Sequence, residues 1–364
     1  MKVRLLLLSL CLSLALAGCG KDQAAPEPSS PEENGEESAA ALEDRSVPLA
    51  FTPVFDGKAE GSAWGVSLED RCYFAQSGDG SVTVEAVDME TGKCTQRESF
   101  DLGGGGYRMR GGPSGVALWS ETRIVTLDSR LAVTGEMDMP WCVDAPIDRI
   151  DLSEDFTEVV YLSGDGVYLT PAAGSAPTLI ISQPFVADPE DDGVFTSVRF
   201  CDNGSKLCIT KESETVRNRV LIVDRLNNLA SGNILKSMET YAWHRTCLEA
   251  ASRYGVCWFL PEQDGVSPTT AVWLLDFTVD GKKELDLEYL SEHGAFSPVM
   301  GEYALAYNDG ADLCRLDFSN MAVTVLRQGC GPDARVLAVS ESGDVAAAIP
   351  GGGETEYCIF PAER

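Results

Sequence analysis

The chain has 364 residues and a formal net charge of −29, with 57 acidic side chains against 28 basic ones. Removal of residues 1–18 would take away Lys2 and Arg4 and bring the charge to −31. A protein this acidic repels nucleic acid phosphates and anionic lipid headgroups, so neither is an expected ligand. The remaining length is sufficient for a large core, built as one repeat array or as two domains.

The amino terminus has the pattern of a secretory signal. Lys2 and Arg4 precede an apolar run at residues 5–17, which is shorter than the roughly 20 residues of a transmembrane helix. The run ends in Leu16-Ala17-Gly18-Cys19, which resembles the lipobox of bacterial lipoproteins. The resemblance implies cleavage before Cys19 and lipid attachment to its sulfur. An ordinary signal peptide or an amino-terminal membrane anchor is the alternative.

Composition divides the chain into three segments: the signal at 1–18, a lipidated Cys with an acidic tether at 19–45, and a folded domain at 46–364. The tether is rich in Pro, Ser, Glu and Ala and has no aromatic residue, so it is predicted to be disordered. The folded domain has short apolar runs separated by Gly, Asp, Asn and Ser. Two-residue alternation without a sustained 3.6-residue period predicts an all-β fold.

A strand that closes on an acidic turn recurs through this domain. Its copies end at Asp88, Asp128, Thr170, Asp224, Asp276, Asp317 and Pro361, with Thr and Pro replacing Asp in two of them. The spacings between successive copies are 40, 42, 54, 52, 41 and 44 residues. A polar turn and an apolar strand lie upstream of each copy, as in 152–156 before 159–161 and 340–343 before 345–348. Two such features per repeat of this length predict four-stranded blades arranged as a β-propeller.

The S-x-[DE]-x-G-like turn and the strand closing on Asp88-Met89-Glu90-Thr91-Gly92-Lys93 resemble the WD-like repeats of TolB-type propellers. The resemblance covers nearly all of the folded domain and implies the fold rather than an activity. We predict seven blades, with six or eight blades, or a two-domain β-sandwich, as alternatives. Only four residues follow the third strand of the last repeat. Residues 47–55 are therefore predicted to supply its missing outer strand and close the ring.

Ten cysteines remain once Cys11 leaves with the signal and Cys19 carries lipid. An even number in an exported protein permits disulfides. Strand-like surroundings equally favour a role as small buried apolar residues for Cys72, Cys208, Cys257 and Cys314. No C-x-x-C pair occurs, and the chain has only two histidines, so we predict no metal site and no cofactor.

No catalytic motif emerges, and no catalytic residue is predicted. Gly112-Pro113-Ser114-Gly115 is one residue short of the G-x-S-x-G elbow of α/β-hydrolases. His244 and Cys247 are close in sequence, which alone does not make a nucleophile and its base. An acidic chain does not exclude a carboxylate pair for glycoside hydrolysis, but no pair stands out.

Aromatic residues gather in the segments that should connect successive blades. These segments open on one face of a propeller, where aromatic side chains make effective recognition surfaces. The candidate ligand-binding residues are Trp64, Tyr107, Trp141, Tyr241, Trp243 and His244, with His293 in a further connection. The alternative is that they plug the channel mouth and pack between blades.

The sequence thus predicts a lipoprotein anchored by lipid alone on the extracytoplasmic face of the membrane of a Gram-positive cell. Its propeller is expected to be a non-catalytic binding or scaffolding module for a cell-surface protein, peptide or glycan. The alternative function is that of an extracytoplasmic hydrolase or lyase acting on polysaccharide or peptide. Carboxylates converging on the channel axis would favour this alternative.

Overall fold

The strands form seven antiparallel four-stranded sheets in the computed structural model of the protein. The structure describes residues 47–48, 65–68, 71–77, 81–88, 91–103, 106–140, 142, 146–164, 166–172, 174, 176–182, 193–213, 217–225, 234–240, 244–261, 271–285, 298–340, 342–352 and 354–362. Within these residues the one helical element is a single 3₁₀ turn, Ile147–Arg149, between the second and third blades. The prediction of an all-β, seven-bladed propeller is confirmed.

Each of the first six blades contains four strands in chain order. The first and second blades are β2 (Gly65–Leu68), β3 (Arg71–Ser77), β4 (Ser81–Asp88), β5 (Cys94–Asp101), and β6 (Arg108–Gly112), β7 (Gly115–Trp119), β8 (Arg123–Leu127), β9 (Val133–Asp138). The third and fourth are β10 (Ile150–Leu152), β11 (Glu158–Ser163), β12 (Gly166–Pro171), β13 (Thr178–Ser182), and β14 (Val194–Cys201), β15 (Lys206–Glu212), β16 (Arg219–Asp224), β17 (Ile234–Glu239). The fifth and sixth are β18 (His244–Ala250), β19 (Tyr254–Pro261), β20 (Val272–Asp276), β21 (Gly281–Leu285), and β22 (Val299–Met300), β23 (Ala304–Asn308), β24 (Leu313–Asp317), β25 (Val323–Arg327).

The seventh blade joins the two ends of the domain. It contains β26 (Arg335–Val339), β27 (Val345–Gly351), β28 (Glu354–Phe360) and, outermost, β1 (Val47–Pro48). Val47 pairs with Ile359 and Pro48 with Cys358. Proline has no amide hydrogen to donate, and it is tolerated in an edge strand because no further strand pairs on that side. The predicted ring closure is therefore confirmed at 47–48, and the rest of the predicted segment lies outside the described residues.

Seven hydrophobic clusters hold the ring together, one between each pair of neighbouring blades. The closing cluster packs Phe74 of the first blade against Leu337, Ala346 and Ile359 of the seventh. Middle strands such as β7 are buried along their whole length because each blade lies between two others. The core is thus a ring of seven interfaces between blades, and each blade takes part in two of them.

In five of the seven blades the third strand ends at, or next to, the repeated Asp. Asp276 Oδ1 accepts hydrogen bonds from the amide and hydroxyl of Thr278, at 2.9 and 2.6 Å. Asp317 Oδ1 accepts the same two bonds from Ser319, at 2.7 and 2.6 Å. The carboxylates of Asp88 and Asp128 cap the turns of the first two blades. The Asp recurs because it satisfies the backbone amides of the turn into the outer strand.

The Asp317 cap makes stability depend on pH. Hydrogen bonds from the Ser319 hydroxyl and amide lower the pKa of the Asp317 carboxyl below its ordinary value. A carboxyl with a lowered pKa stabilises the fold above its unfolded pKa, about 3.9, and this stabilisation is lost as the pH falls through the folded value. We expect Asp317→Asn to unfold at lower urea concentration than the wild type at pH 7, with the difference vanishing in acid. Asp138→Asn, at a side chain 88% exposed, is the matched control. A difference that persists unchanged in acid would contradict the charge-based cap.

The four cysteines predicted to fill core positions do so. Cys72, Cys208, Cys257 and Cys314 are at most 3% exposed and belong to the clusters between blades. Burial raises the pKa of the Cys208 thiol to about 12, and burial with nearby carboxylates does the same for Cys314. Thiols of this kind stay protonated and act as small apolar side chains.

Candidate functional site

The central channel is lined by the first strand of each blade. These strands lie innermost, since β2 contacts β6 and β26 while β14 contacts β10 and β18. Arg108 in β6 and Glu249 in β18 form an ion pair, with 3.3 Å between Nη1 and Oε1. They belong to the second and fifth blades, which are not neighbours in the ring. The pair therefore spans the channel.

Glu249 lies between two arginines. Its other carboxylate oxygen, Oε2, is 3.9 Å from Nε of Arg199 in β14. Arg199 also donates a hydrogen bond of 2.8 Å from Nη1 to the carbonyl oxygen of Val198. The side chains of Arg108 and Arg199 are 8% and 3% exposed, whereas that of Glu249 is 31% exposed. The guanidinium groups thus form the buried walls, and the carboxylate is the part that solvent reaches.

A second ion pair joins the inner strands of the second and third blades. Arg110 Nη1 lies 3.3 Å from Asp151 Oδ2 and also donates a hydrogen bond to the carbonyl oxygen of Leu152. Asp151 Oδ2 accepts a 2.8 Å bond from the amide of Phe200, next to Arg199. We call Arg108, Arg110, Asp151, Arg199 and Glu249 the channel cluster.

The inner strands differ in charge from the rest of the protein. The seven described inner strands hold five arginines against two carboxylates, a formal net charge of +3 in a chain of −29. The arginines are at positions 108, 110, 199, 245 and 335, and the carboxylates are Asp151 and Glu249. The innermost strands are therefore basic in an acidic protein, and three of their arginines contact the carboxylates of the channel cluster. This feature was not predicted from the sequence, because its charges stand out only when the residues of the inner strands are taken together.

An open groove of about 610 Å³ lies on the face where blades connect. It is bounded by Gly103 in the first connection, Glu121 and Arg123 around a hairpin of the second blade, and Pro140 and Cys142 in the next connection. Burial, together with the nearby Glu121 carboxylate, raises the pKa of the Cys142 thiol to about 12. Cys142 is therefore a protonated wall residue of the groove and not an activated nucleophile.

The structure describes two of the six predicted ligand-binding residues. Tyr107 is 2% exposed, packs between the first two blades and donates a 2.8 Å hydrogen bond to the Ala75 carbonyl. Burial raises the pKa of its hydroxyl. This ring belongs to the core, which corrects its assignment to a recognition surface. His244 is partly exposed at the start of β18, and its carbonyl accepts a bond from the Asn218 side chain at 2.7 Å.

All of the other predicted site residues lie outside the described residues. These are Cys19, Trp64, Trp141, Tyr241, Trp243 and His293. Trp141 and Trp243 are nevertheless placed by chain order in two connections, the first between β9 and β10 and the second between β17 and β18. Pro140 and Cys142, on either side of Trp141 in sequence, both line the groove.

The catalytic arrangements considered from the sequence do not form. His244 and Cys247 are three residues apart in one strand, so their side chains point to opposite faces of the sheet. Gly112 pairs with Gly115 around a two-residue hairpin turn, in place of the strand-to-helix turn of a nucleophile elbow. Gly115 has φ +137°, and an added Cβ would collide with the Leu127 carbonyl. The hairpin therefore requires glycine at position 115.

Among the residues that the structure describes, no helix is long and apolar enough to cross a bilayer. No group of three or more His, Cys, Asp or Glu side chains there is arranged to hold a metal ion.

Comparison with known proteins shows the fold. No protein-family model matches the chain, and no curated protein matches it in sequence. Among solved structures, the WD40 domain of Neurospora crassa Pan2 is similar, with a TM-score of 0.54 and 11% identity over 88% of this chain and 94% of that one. Kuenenia stuttgartiensis hydrazine synthase gives 0.52 and 14% over 86% and 99%, and the Toxoplasma gondii coronin WD40 domain gives 0.50 and 9% over 87% and 85%. At these identities the likeness establishes a WD40-like β-propeller fold.

Proposed function

We propose that this protein is a lipoprotein on the extracytoplasmic face of the membrane, whose propeller is a non-catalytic binding or scaffolding module. Its partner is a protein, peptide or glycan at the cell surface, and its membrane contact is the lipid on Cys19. The proposal keeps the resemblance to TolB-type propellers. Its support is the hydrogen-bonded polar turn before the second strand, where Ser340 Oγ accepts a 2.8 Å bond from the Asp344 amide.

The observation that carries the binding function is the state of the inner-strand carboxylates. Glu249 and Asp151 are each within 4 Å of an arginine, in ion pairs formed with different side chains. Glycoside hydrolysis needs one carboxyl group that donates a proton and a second that acts as a nucleophile or base, whereas each of these two carboxylates is paired with arginine. Guanidinium groups facing the channel suit recognition of a ligand better than they suit that chemistry.

Cys19→Ser is expected to move the protein from the membrane fraction to the soluble fraction. Two or more acyl chains, at roughly 0.8 kcal/mol per buried CH₂, anchor a protein stably, and serine cannot accept them through a thioether. Fractionation and immunoblotting of cells expressing each form would measure this. Ser30→Ala, in the tether, is the matched control and should stay in the membrane fraction. Retention of the Cys19→Ser protein would mean that the apolar run itself is the anchor.

Replacing Trp141 and Trp243 with Ala is expected to weaken ligand capture by about 2 kcal/mol or more while leaving the melting temperature nearly unchanged. The measurement is retention of purified cell-wall polysaccharide and of surface peptides on the immobilised protein. Trp273→Ala is the structural control, since this residue is 2% exposed and its loss should lower the melting temperature. A large fall in the melting temperature of the double variant would assign these tryptophans to the core instead.

A further inference from the structure

We propose that the channel cluster is a carboxylate-binding site, in which Glu249 occupies the place of the ligand until a ligand carboxylate displaces it. The inference rests on the proposed binding function and gives it a ligand chemistry. Its central observation is that Arg108 of the second blade and Arg199 of the fourth, both more than nine-tenths buried, lie against the partly exposed carboxylate of Glu249 in the fifth.

Arginines at the channel favour an anion as the ligand. Arg108 and Arg199 already hold one anionic group, the Glu249 carboxylate. An anion that enters the channel is attracted by these two guanidinium groups and by that of Arg110 in the same cluster.

The geometry of the arginines favours a carboxylate. A guanidinium presents parallel N–H groups that match the two oxygens of a carboxylate, and a full match places both at about 2.7–2.9 Å. Glu249 lies 3.3 Å from Arg108 and 3.9 Å from Arg199, so it bridges the two groups without a close contact to either. A ligand not tied to β18 is free to approach more closely. Glu249 is therefore an internal competitor for the site.

The side chains also differ in their freedom to respond. Arg199 is fixed by its bond to the Val198 carbonyl, and Asp151, which lies beside it in the ring, is held by the Phe200 amide. Glu249 is more exposed than Arg108 and Arg199, and it lies next to the hairpin that follows β18. Displacement of Glu249 toward solvent therefore leaves Arg199 in position for the ligand.

The test is binding of succinate and of a triglutamate peptide to the full-length protein, measured by isothermal titration calorimetry. Succinamide, the neutral analogue, and inorganic phosphate serve as comparison ligands. We expect succinate or triglutamate to bind, and succinamide and phosphate to bind at least about tenfold more weakly. The stronger of the two carboxylate probes identifies the source of the ligand as a free acid or a peptide.

Glu249→Gln is the decisive variant, because removal of the competing carboxylate should raise carboxylate affinity by about tenfold or more. Arg199→Gln should weaken it by a similar factor. Arg217→Gln, an exposed arginine paired with Glu239, should leave it unchanged. Glu249→Gln retains both arginines, so it remains informative if Arg199→Gln fails to fold.

Three results would overturn the inference: no carboxylate binding by the wild type or Glu249→Gln, equal binding of succinamide, or tighter binding of phosphate than of either carboxylate. Unchanged affinity in Glu249→Gln would also overturn the competitor role. Capture that depends on Trp141 and Trp243, without any carboxylate binding, would overturn this inference alone. Absence of both activities would remove the proposed binding function as well.

Discussion

A protein that begins at Ala59 is expected to lose its single cooperative unfolding transition and to aggregate. The deletion removes β1, which supplies the outer strand of the seventh blade through Val47 and Pro48. Without β1, one edge of β28 has unpaired amide and carbonyl groups along the outside of the ring. Exposed strand edges template pairing with other chains, and an unclosed seventh blade loosens its packing on the first.

A protein that begins at Asp44 is the matched control, because it retains β1 and the whole of the compact unit Asp44–Arg364. Circular dichroism during urea unfolding and light scattering on concentration would compare the two. The control should show one transition and remain monodisperse. If the shorter protein unfolds at the same urea concentration with the same slope, β1 does not hold the ring closed.

Phe259→Ala is expected to cost about 3–5 kcal/mol of unfolding free energy, the range for large aromatic side chains removed from a core. Phe259 is fully buried between the fourth and fifth blades and packs edge-on against Trp273, with 4.7 Å between ring centroids. The loss combines the transfer of apolar surface with the cavity left behind. Because each blade interface supports two neighbours, the damage should appear in the global transition.

Two controls separate packing from surface effects. Phe259→Leu keeps most of the volume and should cost clearly less than the alanine variant. Tyr303→Ala, at a side chain 63% exposed, should change stability by no more than about 0.5 kcal/mol. Urea unfolding at pH 7 measures all three. An alanine variant as stable as the wild type would show that this interface does not contribute to the cooperative fold.

The architecture was predictable from the sequence because its determinants are local and repeated. The third strand closes on Asp in five of the seven repeats, and the carboxylates of Asp276 and Asp317 cap turns within two residues of themselves. Because the capped strand end recurs every 40–54 residues, the number of blades can be counted from the sequence. Ring closure was predictable by counting, since a blade with three strands at one terminus requires a fourth from the other.

The channel cluster was not predictable because its members are distant in the chain. Arg108 and Glu249 are 141 residues apart and meet only when the ring places the second and fifth blades across the channel. Their neighbours in sequence carry no shared motif. Tyr107 was predicted to be a recognition residue, but it is buried. Its position in a connection suggested exposure, but a residue next to β6 turns into the interface with the preceding blade.

The closing strand also has a mechanical consequence under the proposed lipid anchor. The chain from Cys19 enters the propeller through β1, so tension between the membrane and a bound surface partner acts first on this strand. β1 is joined to β28 through two residue pairs, Val47 with Ile359 and Pro48 with Cys358. A force along the tether would separate these two pairs first, while the buried cluster between the first and seventh blades still holds the ring.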